Sequence, residues 1–220
     1  GAFGRMAAQT AKQVIMQKLR EAEREVVYNE YKDKQGHVLV ATAGRREGRG
    51  IVFELGRATA VMLPDDQAPH ERYAPGERMK VYVNQVNSTT KGPEILVSRT
   101  NPELVRALFT QEIPEVANGA VEIKHIAREA GSRTKVAVIS KEQNIDPIGS
   151  CIGQRGTRIQ TVSGELGGEK IDVILWDEEP RVFIAHALSP AKIIGVEPSE
   201  NDRTAVVRVI GDQLSLAIGK

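Results

Sequence analysis

Two glycines separated by two polar residues lie between Ile152 and Ile159, with Gln154 and Arg155 at the intervening positions. Because glycine has no side chain, a turn of this kind lets the backbone between two helices come close to a sugar-phosphate chain. Exposed amides at the start of the second helix can donate to phosphate oxygens. The spacing therefore predicts a backbone clamp for RNA with Gln154 and Arg155 pointing outward. Glycine pairs at this spacing are common, so the order of the surrounding elements has to support the prediction.

The predicted contacts of this turn combine backbone, polar, charged and apolar groups. Ile152 and Ile159 are candidates to line an apolar groove in which bases lie beside the clamp. Arg155 and Arg158 supply positive charge. The candidate RNA-binding residues of the segment are Ile152, Gly153, Gln154, Arg155, Gly156, Arg158 and Ile159.

Basic residues form further clusters, although the chain as a whole is nearly neutral. Its formal net charge is +1, which argues against coating of nucleic acid by bulk electrostatics, so any nucleic-acid site must be local. Aromatic residues make up only 4% of the chain, which disfavours a binder that works mainly by base stacking. The further clusters are Arg45, Arg46 and Arg49, and Arg128, Arg133 and Lys135. Such clusters are more often solvated surfaces than sites, but the first is included among the candidate RNA contacts.

The residue types needed for catalysis or metal binding form no recognisable pattern. The four histidines lack the spacing of metal ligands, and Cys151 is the single cysteine. Neither a Walker motif nor a nucleophile elbow occurs, so the sequence predicts no enzymatic activity, no metal and no cofactor. A lone cysteine cannot form an internal disulfide, and no run of about 18 apolar residues occurs. A cytoplasmic protein without a membrane span is expected.

The elements that position these residues predict an α+β protein of several domains. Apolar positions at spacings of three and four predict a helix over residues 10–31, interpreted as a connector at residues 1–33. Alternating runs bounded by glycine and proline then predict five strands, at residues 37–42, 51–55, 59–63, 79–86 and 94–98. Five strands in about 65 residues are typical of an OB-fold β-barrel, a platform for single-stranded nucleic acid, here expected over residues 34–100.

Residues 101–177 are predicted to form a unit of another kind around the glycine turn. Its order is a helix, two strands, the turn between two short helices, and a third strand, which is the order of a type II KH domain. The pattern begins again in residues 178–220, since residues 133–138 are echoed at 203–209 and residues 150–154 at 216–220. By this register the chain ends inside the second glycine turn. The second KH domain is therefore expected to be incomplete, with Gly219 and Lys220 as its candidate RNA contacts.

Longer motifs give this chain a resemblance to known families. The strand segment resembles the S-one type of OB fold, through Gly36, Val38, residues 50–53, Ala60, Leu63, Pro64, Gly76, Val81, Val83, Leu96 and Ser98. The whole chain resembles the central region of the NusA family of bacterial transcription termination and antitermination factors. That resemblance is carried by residues 8–15 (AQTAKQVI), 98–102 (SRTNP), 121–124 (VEIK), 131–138 (GSRTKVAV), 151–156 (CIGQRG), 168–172 (GEKID) and 212–220 (DQLSLAIGK).

The resemblance implies the partners and the role of the intact protein. Members of the family bind RNA polymerase through an N-terminal domain, expected to be absent from this chain, and touch nascent single-stranded RNA with the central region. They modulate pausing, termination and antitermination, and antitermination factors are further expected partners. Where S-one barrels often present a stacking aromatic residue, this chain has Arg46, so the barrel is expected to bind RNA weakly or to act as a spacer.

Three other functions stay open at this point. Ribonucleases combine KH domains and S-one barrels, but with separate catalytic domains and with the KH domain before the barrel. A translation-linked RNA binder could use the same domains. A protein-interaction scaffold could use the barrel and the KH sheets while the clamp is idle.

Overall fold

The structure, a computed structural model, describes residues 1–189, 191, 193–199, 204–209, 211 and 214–218. It divides into two compact units, Gly1–Leu104 and Val105–Lys220. No helix within the described ranges is both long and apolar enough to cross a membrane. Gly219 and Lys220, the candidate contacts of the second KH domain, lie outside the described residues.

The first unit begins with helix α1, Ala2–Tyr31, which starts earlier than the sequence pattern predicts. Alanine, glutamine, glutamate, lysine and arginine dominate it, and these residues have high helix propensity. Its last two turns belong to the barrel that follows, because Val27, Tyr28 and Tyr31 pack against the core. The Tyr31 hydroxyl also donates to the carbonyl oxygen of Leu55. The connector interpretation did not foresee this attachment, which fixes the helix end to the barrel.

Five strands then close into a barrel in the order β1-β2-β3-β5-β4, with β1 paired to β4. Neighbouring strands are antiparallel except for β3 and β5, which are parallel. The prediction of a five-stranded OB-type barrel is confirmed. The strands are β1 (Val38–Glu47), β2 (Gly50–Leu55), β3 (Ala58–Met62), β4 (Arg78–Thr89) and β5 (Gly92–Ser98).

Alternate residues of the strands fill the barrel interior, as the period of two in the sequence requires. Burial of a large apolar side chain contributes about 1.5–3 kcal/mol. Fully buried side chains include Ile51, Phe53, Met62, Val81, Val83 and Val97. In β1 the register shifts between Ala43 and Arg46, and such a bulge bends a strand and redirects its side chains. It separates the buried part of β1 from the exposed arginines that follow.

One end of the barrel is fixed by the long connection between β3 and β4. Within it, Glu71 pairs with the buried Arg99, with 2.9 Å between Nη2 and Oε2. The same guanidinium donates from Nη1 to the carbonyl oxygen of Lys80 at 2.8 Å. Tyr73, also in the connection, packs edge-on against Phe53 with ring centroids 6.0 Å apart. The connection is therefore held by a buried ion pair and an aromatic contact.

Helix α2 (Pro102–Glu112) contains the division between the two units. The second unit follows the predicted order of a KH domain, with β6 antiparallel to β7 and β7 parallel to β8. Its further elements are α3 (Pro114–Ala117), β6 (Val121–Glu129), β7 (Arg133–Ser140), α4 (Pro147–Ile152), α5 (Thr157–Glu165) and β8 (Lys170–Leu175). After these come α6 (Pro180–Ala187), β9 (Ile193–Pro198), β10 (Ala205–Val209) and α7 (Leu214–Ile218), with β9 and β10 antiparallel.

The carboxylate of Glu169 anchors the start of β8 to the other two strands of the sheet. It is fully buried and pairs with Arg128, with 3.1 Å between Nε and Oε2. It also accepts from the amide of Gly131 at 2.7 Å and from the Thr134 hydroxyl at 2.6 Å. A buried charge needs such partners, because removing one of them leaves the other uncompensated.

Arg128 belongs to a basic cluster identified in the sequence, and its other members, Arg133 and Lys135, are also paired within the unit. Arg133 pairs with Asp172 of β8 at 2.6 Å. Lys135 donates to the carbonyl oxygen of Ala187 at the end of α6, and burial lowers the pKa of its ammonium. With Arg128 paired to Glu169, all three cations have partners inside the unit. The cluster of Arg128, Arg133 and Lys135 is thus a set of structural contacts and not an open basic patch.

Candidate nucleic-acid interface

The glycine turn begins where helix α4 ends. Asp146 caps the start of α4, since its carboxylate accepts from the amide of Ile148 at 3.1 Å. The helix ends at Gly153, with φ 77° and ψ 177°. A side chain at this position would place its Cβ 2.7 Å from Cγ of Arg158. Both the backbone angle and the space around it therefore require glycine at residue 153.

The turn then passes through two left-handed residues before α5 begins at Thr157. Arg155 has φ 57° and ψ 25°, and Gly156 has φ 73° and ψ 17°. A residue other than glycine is rare in this region and is held there against a strain of about 1–2 kcal/mol. Strain of this kind is concentrated at functional sites. In this turn, Gln154 and Arg155 are both exposed.

Arg158, a predicted RNA contact, lies behind the turn. Its Nη1 is 2.8 Å from Oε2 of Glu115 in α3 and donates to the carbonyl oxygen of Ser150 at 2.8 Å. The Arg158 and Glu115 side chains are each 30% exposed. Ile152 and Ile159, the candidate groove residues, are half-buried. The turn thus brings all seven of its candidate residues together, but they divide into exposed and inward-facing side chains.

A cleft of about 730 Å³ opens beside the turn. Its walls come from α3, α4, α5 and the segment before α4, and they carry both polar and apolar surface. Side chains that line it include Glu115, Asn144, Asp146, Gln154, Thr157 and Arg158. Beneath the turn lies Cys151, which is fully buried. Burial raises the pKa of its thiol to about 12.

The other candidate contacts, Arg45, Arg46 and Arg49, form what we call the basic tip, at the end of β1 and the turn into β2. All three are exposed. The nearest acidic group to Arg45 is Glu47, at 3.9 Å, and both of these side chains are largely in solvent. At Arg49 the backbone is held, because Gln67 donates to its carbonyl oxygen at 2.7 Å. The basic tip therefore presents charge on long solvated side chains.

Two residues important to the turn were not among the predicted site residues. Asp146 could have been found, because Asp followed by Pro147 is a common start for a helix. Glu115 could not, since it reaches Arg158 from an element 43 residues earlier in the chain. Among the described residues, no group of three or more His, Cys, Asp or Glu side chains could hold a metal ion.

Together, the OB-type barrel and the KH order with its left-handed glycine turn define a class of nucleic-acid-binding proteins. Three family models match the chain. The NusA-like first KH domain matches residues 99–176, the NusA-like second KH domain residues 180–220, and the NusA N-terminal domain residues 1–25.

Curated relatives agree with these matches along nearly the whole chain. Three of them, from three bacteria, are each named "Transcription termination/antitermination protein NusA". The relative from Thermus thermophilus is 52% identical over 99% of this chain and 56% of its own length. The relative from Bacillus subtilis is 47% identical over 99% of this chain and 59% of its own length, and that from Mycobacterium tuberculosis is 44% identical over 99% and 65%. The chain belongs to the NusA family.

The chain spans a little over half to about two thirds of the length of these relatives. The match of residues 1–25 to the NusA N-terminal domain corrects the expectation that this domain is absent. Helix α1 is thus part of a domain that the sequence pattern presented only as a connector. Among solved structures, a multidomain protein with nucleic-acid-binding domains from Streptococcus pneumoniae is 14% identical to this chain. The TM-score is 0.26, and the match covers 62% of this chain and 43% of the other.

Proposed function

We propose that this chain is the RNA-binding region of a transcription elongation factor that contacts nascent single-stranded RNA. Through that contact the intact factor modulates pausing, termination and antitermination by RNA polymerase. The observation that carries the proposal is the GXXG turn, residues 153–156, whose left-handed backbone exposes Gln154 and Arg155 next to the start of α5. The names of the relatives and the match to the NusA-like first KH domain support it.

The turn can hold RNA mainly through its backbone. Because residues 153 and 156 are glycines, these two positions present no side chain of their own to an approaching phosphate. Arg155 adds a charge that can meet a phosphate oxygen, and Gln154 adds a neutral donor and acceptor. A clamp of this type spans about four nucleotides. Ile152 and Ile159, both half-buried, are placed to border a groove for the bases.

The basic tip has a weaker role in this proposal. Three exposed arginines attract any phosphate backbone, but they carry no sequence information and form no shaped site.

The proposed domain boundaries are residues 34–100 for the barrel, 101–177 for the first KH domain and 178–220 for the second. Within residues 1–33, residues 1–25 match the NusA N-terminal domain, and the end of α1 packs against the barrel core.

RNA polymerase is the proposed protein partner, reached through the N-terminal domain to which residues 1–25 belong. Antitermination factors are further proposed partners. The chain has a binding role and no catalytic one, and it acts in the cytoplasm, where transcription takes place in bacteria. If the full-length protein recovered ribosomes instead of polymerase from cell extract, the translation-linked alternative would replace this proposal.

The proposal is tested by fluorescence anisotropy with labelled single-stranded RNA of about twelve nucleotides, the matching single-stranded DNA and a duplex RNA. The 220-residue chain is compared with its Gln154→Asp/Arg155→Asp variant at two salt concentrations. The matched control is Gln143→Asp/Arg181→Asp, which makes the same change in charge at two exposed residues of the same unit.

We expect single-stranded RNA to bind best and the turn variant to lose at least about tenfold in affinity while circular dichroism stays unchanged. The control variant should lose no more than about twofold. If the turn variant binds RNA as well as the unmodified chain, the turn is a structural element only. The basic tip or a protein partner would then be the place to look for function.

A further inference from the structure

A single side chain joins the three elements that meet at the GXXG turn. Arg158, at the second position of α5, reaches Glu115 of α3 and the carbonyl oxygen of Ser150 in α4, each at 2.8 Å. Its aliphatic carbons also lie against Gly153, so closely that a Cβ there would be 2.7 Å from Cγ. The two helices on either side of the turn and the helix before the sheet are therefore tied together by one guanidinium.

We infer that Glu115 and Arg158 form a brace that holds the GXXG turn in its RNA-competent conformation, so that Arg158 is a positioning residue and not a phosphate ligand. This inference rests on the proposed function, since it names how the same RNA site is held. Neither residue's role is visible in the motif itself, which would count Arg158 with Arg155 as one basic pair.

The contact with Ser150 shows why the brace acts on the turn. The last carbonyl groups of a helix lack partners within the helix, and arginine side chains can satisfy them. In α4 the carbonyl oxygen of Gly149 accepts a hydrogen bond from the amide of Gly153 at 2.9 Å. The carbonyl oxygen of Ser150 accepts one from Arg158. The point at which α4 stops is thus fixed from α5, across the turn.

The contact with Glu115 shows why Arg158 stays in place. Charge-assisted hydrogen bonds are shorter and roughly twice as strong as neutral ones. Both partners are 30% exposed, so water screens the pair less than it screens a surface pair. Arg155, by contrast, is exposed and has a backbone that directs it away from the turn. The two arginines of the motif therefore have separate tasks, one toward solvent and RNA and one toward the protein.

The direction in which Glu115→Gln changes RNA affinity distinguishes the brace from simple electrostatics. Glu115 is a negative charge beside an RNA site, so Coulomb repulsion alone predicts that Glu115→Gln strengthens RNA binding. The brace predicts the opposite, because the turn would spend less time in its competent conformation. If the competent fraction falls to between about 0.1 and 0.3, the apparent Kd rises about three- to tenfold.

The experiment measures single-stranded RNA binding by anisotropy for Glu115→Gln, Arg158→Gln and Arg155→Gln, each at several salt concentrations. Arg155→Gln should weaken binding and lower the slope of log affinity against log salt by about 0.7, because one phosphate contact is lost. Glu115→Gln and Arg158→Gln should each weaken binding about three- to tenfold and leave that slope unchanged. Glu142→Gln, which removes an exposed carboxylate of the same unit, should leave affinity unchanged or slightly raised.

A double variant and the conservative exchange Arg158→Lys sharpen the result. If the two residues act as one brace, Glu115→Gln/Arg158→Gln binds no worse than either single variant. Both contacts of Arg158 start from Nη1. The lysine ammonium ends one bond short of that position, so Arg158→Lys keeps the charge but should behave like Arg158→Gln. The inference is overturned if Glu115→Gln binds RNA equally well or more tightly, or if Arg158→Gln lowers the salt slope as Arg155→Gln does.

Amide hydrogen exchange provides a readout that needs no RNA. The amides of Gly153 and Gly156 donate to Gly149 and Gly153 at 2.9 and 3.2 Å, so opening of the turn exposes them. Both should exchange at least about threefold faster in Glu115→Gln, while amides of the β6-β7 pair stay protected. Unchanged exchange at both glycines would refute the brace even if RNA binding fell. Failure of the proposed function is distinct, because the Gln154→Asp/Arg155→Asp variant would then retain RNA whatever Glu115→Gln does.

Discussion

The GXXG turn and the basic tip both carry arginines that were predicted to meet RNA, but they are built in different ways. In the turn, backbone angles, a cap at Asp146 and the contacts of Arg158 define the shape of the surface. In the basic tip, Arg45, Arg46 and Arg49 extend into solvent, with one long contact to an acidic group among them. The turn is a shaped site, whereas the tip is a local concentration of charge.

The difference shows what a cluster of arginines alone can and cannot do. Solvated arginines gain affinity for any phosphate chain by releasing counterions, and that gain disappears as salt rises. A fixed backbone can instead select the geometry of a single strand and retain part of its affinity at high salt. The comparison predicts that substitutions in the turn change RNA affinity through the shape of the site, while substitutions in the basic tip change it through charge. Four effects test it, from the largest expected to the smallest.

The largest effect concerns Cys151, which lies directly before the turn. Its pKa of about 12, raised by burial, leaves about a thousandth of the thiolate that an ordinary cysteine has at pH 8. Alkylation by iodoacetamide should be at least about 100-fold slower in the folded chain than in urea, as followed by mass spectrometry. Rapid labelling of the folded chain would mean that the packing beneath the turn opens readily.

The same raised pKa gives a direction for the pH dependence of stability. Above about pH 9 the thiol ionises in the unfolded chain but not in the folded one, so the unfolded state binds fewer protons. The free energy of unfolding should therefore fall as pH rises from about 9 to about 12. Below about pH 9 Cys151 adds no pH dependence. A Cys151→Ala variant should lose this part of the alkaline decline in urea titrations.

The second effect is a loss of RNA affinity when Gly153 is replaced. In Gly153→Ala the new methyl group would lie 2.7 Å from Cγ of Arg158, at a residue with φ +77°. We expect an affinity loss of at least about tenfold by anisotropy, because the turn must change shape. In Gly156→Ala, at φ +73°, the nearest atom to the new methyl group would be Nε2 of Gln160 at 3.6 Å, so the loss should be smaller, about fivefold.

Gly164 offers the control for this series. It lies in α5 without a left-handed backbone, and a Cβ added to it would have no neighbouring atom within 4 Å. Gly164→Ala should leave RNA affinity unchanged and raise the free energy of unfolding by about 0.5–1 kcal/mol, since alanine favours a helix. Equal affinity in Gly153→Ala would contradict the view that the shape of the turn matters.

The third effect comes from removing the basic tip. Arg45→Ala/Arg46→Ala/Arg49→Ala should weaken RNA binding about fivefold at low salt and lower the salt slope by as much as about 2. The loss should be equal for RNAs of different sequence, because phosphate contacts carry no sequence information. Thermal unfolding should be unchanged, since all three side chains are exposed. A loss that depends on RNA sequence would show that the tip is part of a shaped site after all.

The smallest effect tests whether the tip can be turned into a stacking surface. Arg46 stands where S-one barrels often have an aromatic residue, so Arg46→Phe should raise affinity by about threefold if bases reach the barrel there. Arg49→Phe is the matched control, because it makes the same exchange at another exposed residue of the tip. A gain in neither variant would favour the spacer interpretation of the barrel.

The fold was largely predictable from local patterns, whereas contacts between residues distant in sequence were not. Period-two alternation predicted the five barrel strands, whose ends differ from the predicted ends by a few residues. In contrast, the pattern of charge did not show that Arg128, Arg133 and Lys135 are paired within the protein. Their acidic and carbonyl partners lie about 40 to 50 residues away in sequence. A one-dimensional pattern shows that cations are close together, but not whether distant groups neutralise them.

By itself, the sequence determined where the chain turns and where those turns have glycines without side chains. Glycine, proline and the spacing of apolar residues all act on the local backbone, so a local pattern reveals them. It therefore specified the barrel strands, the KH order and the position of the GXXG turn. Arg155 points outward as the spacing predicts, and only the tertiary structure decided that Arg158 faces the protein. Arg155 and Arg158 differ because a left-handed backbone directs one to solvent and Glu115, 43 residues away from Arg158, holds the other. Ion pairs between distant elements depend on packing, which no local pattern encodes.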